Sequence, residues 1–319
     1  MTKQVNDRQM KPELLVTVRD LEELRSLAGA GADAFSIGDP YFGVRTPGDW
    51  TLETVTEAIL IAHKLAKKVY ISMNLLIHDT DLERLPEHMR VWTEAGADGI
   101  MFGDPAVYMV AKEIGSLVPL HWSGEMTTTN YQAINYWGKR GVSRSVLARE
   151  LNLEQLQSMR EHTPMELQVH IHGATCIYHS KRSLLSNYKS HLNRDELGQI
   201  GLDAKVFHVI ERERLDETFP LFEDKHGTHM FSSEDFCYLD VLNEVLPLGI
   251  DSLKIEGLLM ERMRLEASVR AYRKAIDWWT EGTLDGNMKE LERMKDELLA
   301  LQPEGRPFGY GFLFKEQVY

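Results

Sequence analysis

Cysteine is scarce in this chain. Cys176 and Cys237 are the only two in 319 residues, which excludes a disulfide framework and suits a reducing, cytoplasmic setting. Long apolar runs are missing: none reaches the roughly 18 residues of a membrane span. The opening MTKQVNDRQMK has no apolar stretch of the kind a signal peptide carries. Positive charge is in deficit, with 36 Lys and Arg against 49 Asp and Glu and a net charge of -13. A broad basic face for DNA, or a membrane partner, is therefore not expected. A local basic stretch is HSKRSLLSNYKSHLNR, 179–194, a small candidate RNA contact whose plainer reading is a solvated loop. No GxGxxG follows the first apolar segment, which counts against dinucleotide binding. Neither HExxH nor GxSxG occurs, so the zincin and serine-hydrolase signatures are absent as well.

What is present is a repeated strand-then-helix pattern. Short apolar, β-branched segments at 13–18, 34–39, 69–76, 99–104, 119–127, 144–150, 166–173 and 251–257 alternate with helical periodicity. Asp20 stands at an N-cap position and Gly31 at a helix end. Eight such units predict an α/β fold, a parallel (β/α)8 TIM-barrel-like domain over 1–281, with a doubly wound open sheet as the alternative. One unit is abnormal. Residues 174–233 separate strand seven from its helix, expected at 234–248. They read as two or three antiparallel strands with a turn at Lys225–Gly227, a β-rich insertion where barrel active sites stand. Residues 282–319 read as a helix near 286–301 and a Pro/Gly-rich tail.

In a barrel, polar residues at strand C-termini converge on one mouth. Asp39, Asn74, Asp104, His121, Glu125, Arg149, Glu150, His172 and Glu256 occupy such places. Each also has a structural reading. Asp39 and Asp104 precede prolines and can cap turns, and Lys254 and Glu256 share one strand face and can pair. His170 and His172, two apart on one strand, are expected to face the same side. They would make a metal site only with a carboxylate such as Glu223 or Asp224. No metal site is expected from these residues alone.

Several stretches then carry a family resemblance. HIHGATCIYHSKRSLLSNY (170–188) resembles the signature of the collagenase-like peptidase family U32, which runs roughly E-x-x-x-H-G-A-x-C-x-x-x-S-G-x-C-L-L-S. ADAFSIGDPYFGVR, with Gly38, Phe42 and Arg45, resembles its second-strand motif. HWSGEMTTTN, VLARELNLEQL, FEDKHGTHMFSSEDFCYLD and DSLKIEG resemble further motifs, so the likeness spans about 34–279. It implies a barrel. Family members that hydroxylate tRNA, ribosomal RNA or ubiquinone are expected to hold a [4Fe–4S] cluster on four cysteines. The matching positions here are Cys176, Ser183, a place near Leu197, and Cys237. The resemblance therefore implies no cofactor in the isolated chain, with Cys176 and Cys237 as remnant cluster positions that could still approach each other beneath the insertion. Gln168, Gly124–Glu125 and Leu258 also depart from the pattern.

Within the family the chain is similar to the shorter, cysteine-poor kind of two paralogous tRNA hydroxylation proteins of bacilli. The resemblance implies a subunit or accessory protein for prephenate-dependent 5-hydroxylation of wobble uridine, partnered by a longer, cysteine-complete paralogue that carries the cluster. A U32-type peptidase and a non-catalytic binding module are the alternatives. The expected catalytic residues are His121, Glu125, His172 and Glu256. The expected substrate-binding residues are Arg45, Asn74, Asp104 and Arg149, with the two arginines holding a carboxylate such as that of prephenate.

Overall fold

The computed structural model describes residues 10–124, 127–191 and 206–316. Its strands are β1 (Glu13–Thr17), β2 (Ala34–Gly38), β3 (Lys68–Met73), β4 (Gly99–Phe102), β5 (Leu120–Ser123), β6 (Arg144–Val146), β7 (Glu166–Ser180), β8 (Phe207–Glu211), β9 (Arg214–Asp224), β10 (Gly227–Cys237), β11 (Ser252–Glu256) and β12 (Phe308–Gly309). β1 to β7 pair in parallel, each with the next. β11 pairs in parallel with both β7 and β1 and closes the ring. The fold is the (β/α)8 barrel that the sequence predicts, and the open sheet is excluded.

Period-2 alternation decides which side chains face where. Leu14, Val16, Phe35, Ile37, Val69, Ile71, Ile100, Phe102, Leu253 and Ile255 point outward into the large core under the helices. Leu15, Ala34, Tyr70 and Met101 fill a small apolar layer of their own. Below it a polar plug closes the N-terminal end. Arg144 pairs with Glu13 at 2.6 Å and with Glu166 at 2.8 Å, and the Tyr70 hydroxyl donates to Glu13 at 2.6 Å. The first helix, Leu21–Ala30, shows the local logic: the Asp20 carboxylate accepts from Glu23 N at 2.9 Å, and Gly31 ends it in the left-handed region at φ 110°.

β7 is 15 residues long and does not stop at the barrel rim. Its outer half continues to Ser180 and pairs antiparallel with β10, which pairs with β9, and β9 with β8. The insertion is thus an extension of the barrel strand, and its expected start at 174 falls inside β7. The helix expected at 234–248 is corrected at its front: residues 234–237 still belong to β10, and only short helical turns follow at 239–248. The C-terminal helix Met288–Ala300 and residue Leu313 share the main core, and β12 adds to β10. Among the described residues no helix is long and apolar enough to cross a membrane.

Candidate functional site

The C-terminal mouth of the barrel is lined by strand ends and the loops after them. Ser36, Arg45, Ser72, Asn74, Gln168, His170, Lys254 and Glu256 border two adjoining clefts of about 30 and 50 Å³, with Arg149 on both. Four expected residues, Arg45, Asn74, Arg149 and Glu256, therefore meet there, and Cys176 stands beside them. Asn74 works through the backbone: its Oδ1 accepts from Val44 N at 2.8 Å and its Nδ2 donates to Val44 O at 3.1 Å. That pins the loop carrying Arg45, which sits at φ 56°, a conformation uncommon outside glycine. Glu256 accepts from the Thr17 hydroxyl at 2.8 Å and pairs with Lys254 at 3.0 Å, the ion pair that the shared strand face anticipates. Arg149 Nη1 donates to Cys176 O at 3.3 Å.

Other expected residues lie elsewhere. His121 is the second residue of a four-residue strand, too early to reach the mouth. Its ring packs edge-on against Tyr70 at 4.8 Å above the polar plug. Burial, then Arg144 and Lys68 nearby, hold its pKa well below the usual histidine range. Asp104 is a cap, as its place before Pro105 allows: its oxygens accept from Ala106 N at 2.9 Å and Ile77 N at 3.0 Å, and it borders neither of the two clefts. Asp39 is likewise committed, to Tyr41 N, Phe42 N, His88 and Trp92. Glu125 lies outside the described residues.

The expectation that His170 and His172 face one side is overturned. Lys254 pairs with His170 but Ile255 pairs with His172, so β7 carries one extra residue, Ile171, against β11. A bulge of one residue reverses the alternation. His170 stays on the mouth, its Nε2 at 2.7 Å from His172 O. His172 points out of the barrel, with Nε2 3.0 Å from Ser268 Oγ and its ring edge-on to Tyr272. Serine and histidine within hydrogen-bond reach resemble a nucleophile and its base. Ser268 is 0% and His172 1% exposed, however, so no peptide can approach them. Glu223 and Asp224 do not join the two histidines. Glu223 accepts from Leu185 N and Thr228 Oγ1, and Asp224 pairs with His229 at 2.9 Å. Among the described residues no three His, Cys, Asp or Glu side chains are grouped to hold a metal ion.

The remnant cluster positions do not converge either. Cys176 lies opposite Phe231 and Cys237 opposite His172, four residues along β7, or roughly 13 Å of strand. Cys176 borders the mouth, whereas Cys237 is fully buried with the Tyr272 hydroxyl 3.8 Å from its sulfur, and burial pushes its pKa up to about 11. A [4Fe–4S] cluster needs four thiolates around one centre. Two separated thiols, with Ser183 at a third position, do not fit it.

Sequence reasoning passed over Ser36 and Ser72 altogether, and weighed His170 only as a metal ligand, Lys254 only as an ion-pair partner of Glu256 and Gln168 only as a departure from the family signature. Each stands two places from a residue it did weigh, or at the same strand level as one. Strand parity alone marks them, once barrel closure tells which parity is inside.

The profile of peptidase family U32 matches residues 19–318. The chain is 40% identical to tRNA hydroxylation protein P2 of Bacillus subtilis (strain 168) over 314 residues, 97% of this chain and 99% of that one. It is 29% identical to tRNA hydroxylation protein P1 of the same organism over 268 residues, 84% of this chain, and covers 63% of P1's length. Among solved structures, dihydrodipicolinate synthase DapA-2 of Bacillus anthracis superposes with a TM-score of 0.50 at 10% identity, over 92% of this chain and 85% of that one, a likeness of fold alone.

Proposed function

The chain belongs to peptidase family U32, and from that premise we propose that it serves in tRNA hydroxylation, as a subunit or accessory protein for prephenate-dependent 5-hydroxylation of wobble uridine in the cytoplasm. The carrying observation is the near-full-length identity to tRNA hydroxylation protein P2. A longer, cysteine-complete paralogue supplies the [4Fe–4S] cluster. Supporting this division of labour, the two thiols here stand apart and one of them is sealed in the core. The mouth offers Arg45 and Arg149 for a carboxylate of prephenate, since a guanidinium binds carboxylates bidentately. The described part of the basic stretch supplies a tRNA contact. Helix Leu184–His191 buries none of its residues, and Lys181, Arg182 and Lys189 lie on or beside it.

Mass-spectrometric nucleoside analysis of tRNA from a strain lacking this gene tests the role. Loss of 5-hydroxyuridine, with the chain co-purifying with the longer paralogue, is the expected result; full modification in that strain ends the proposal. Calorimetry tests the ligand. Prephenate should give heats with the wild type that Arg149→Ala abolishes, and equal heats would remove Arg149 from the role.

A further inference from the structure

Beside the mouth, on the flank of the barrel, lies a second and larger space. Where β7 rises along β10, residues of the segment after β12 border, together with both strands, a partly open cavity of about 280 Å³. Ile177, Phe236 and Phe312 give it apolar walls, and Arg149 and Lys315 bring two cations to it. Gly311 lets the segment lie this close: its φ is +55°, and a Cβ there would stand 2.4 Å from the Phe236 ring. The size is near the lower end of small-molecule sites, which combine apolar walls with a few convergent polar groups.

Charge selects the ligand class. Arg149 donates to a carbonyl, and Lys315 Nζ lies 5.0 Å over the Phe312 ring. Neither cation has an ion-pair partner among the described residues, although Glu150 and Glu234 also border the space. Thr175, 8% exposed, lines the same cavity, and its buried Oγ1 has no hydrogen-bond partner among the described residues. A half-buried guanidinium and an exposed ammonium at the rim, neither ion-paired among the described residues, together with an unsatisfied hydroxyl and aromatic walls, describe one kind of guest. We propose that this flank cavity binds a small aromatic carboxylate. Its anion lies between Arg149 and Lys315, and its ring lies against Ile177, Phe236 and Phe312. The segment bearing Phe312 and Lys315 is the lid of the site. The inference shares Arg149 with the acid-binding reading above but concerns a different cavity, and it holds whether or not the tRNA role does.

Calorimetry on the full chain, with phenylacetate as probe and phenethylamine as its cationic counterpart, tests it. Phenylacetate should bind saturably, with the amine weaker by roughly tenfold or more. Lys315→Met should weaken the acid by roughly tenfold. Ile177→Trp, which fills the cavity from a half-exposed strand position, should abolish binding while leaving the melting temperature near wild type. Phe312→Ala, on the exposed lid, should also weaken binding and gives a second reading should Ile177→Trp fold poorly. Absence of saturable binding, equal binding of acid and amine, or acid binding that survives in both Ile177→Trp and Phe312→Ala overturns the proposal. Nucleoside analysis reads the tRNA role separately.

Discussion

His172 rests between Ser268 and Tyr272 with 1% of its surface exposed, and burial depresses its pKa from 6.5 to about 4. The sign follows from proton uptake. As pH falls below 6.5 the unfolded chain binds a proton on this residue that the folded chain refuses, so stability is lost from about pH 6.5 down to about pH 4 and is unaffected above that window. His121 and His170 are shifted the same way, chiefly by burial, and add to the slope. Urea unfolding at pH 7.5 and pH 5.0 measures it. His172→Gln should reduce the difference between the two pH values by about 2 kcal/mol, and an unchanged difference would mean that His172 is not the group responsible. Thiol chemistry gives a second residue-scale test. Cys237 is fully buried with a raised pKa and Cys176 is 6% exposed, so iodoacetamide should label neither in the native protein and both in guanidinium. A disulfide recovered from the native protein would contradict the strand register.

At the scale of elements, the decisive feature is the bulge in β7. Ile171 is the extra residue, and Gly173 follows at φ 103° with its α-carbon against β11. A Cβ on Gly173 would meet Glu256 O at 2.2 Å, so only glycine fits where β7 turns from barrel strand to hairpin strand. Gly173→Ala should destabilise the fold by on the order of 2–3 kcal/mol, read as a shift in denaturation midpoint. It should also disturb the mouth, because Glu256 sits on the facing strand. A glycine inside the strand run HIHGATC is visible in the sequence, but the bulge is not. A bulge is set by pairing against β11, some 80 residues away in the chain, and that pairing is what sends His172 to the outer layer. The expected β-rich insertion was legible because its strands alternate and its turn, Lys225–Gly227, has local chemistry.

For the whole molecule, the C-terminal segment is tied to the hairpin rather than appended to the barrel. Asp235, 1% exposed, pairs with Arg306 and accepts from Gln302 Nε2 at 3.0 Å, and β12 adds beside it. Removing one partner of a buried pair leaves an uncompensated charge. Arg306→Ala should therefore cost about 3 kcal/mol, and limited proteolysis should then cut first after residue 303. Resistance equal to wild type would show that the tail holds by its apolar contacts alone.

The eight-unit barrel was determined by the sequence itself, because hydrophobic periodicity and turn chemistry are local and each unit carries its own. The family signature was equally local, and with it the shortage of cysteines. Which polar residues form the mouth was decided only by tertiary structure. His121 has the composition of a site residue but stands too early in β5, Asp104 caps backbone amides with both oxygens away from the two clefts, and His172 is turned outward by one inserted residue. The flank cavity belongs to the same category. Its walls come from β7, β10 and the C-terminal segment, more than 130 residues apart between Thr175 and Phe312. A side chain's neighbours across such a distance depend on strand register and barrel closure, which are global properties of the packed chain and leave no mark on any short stretch of it.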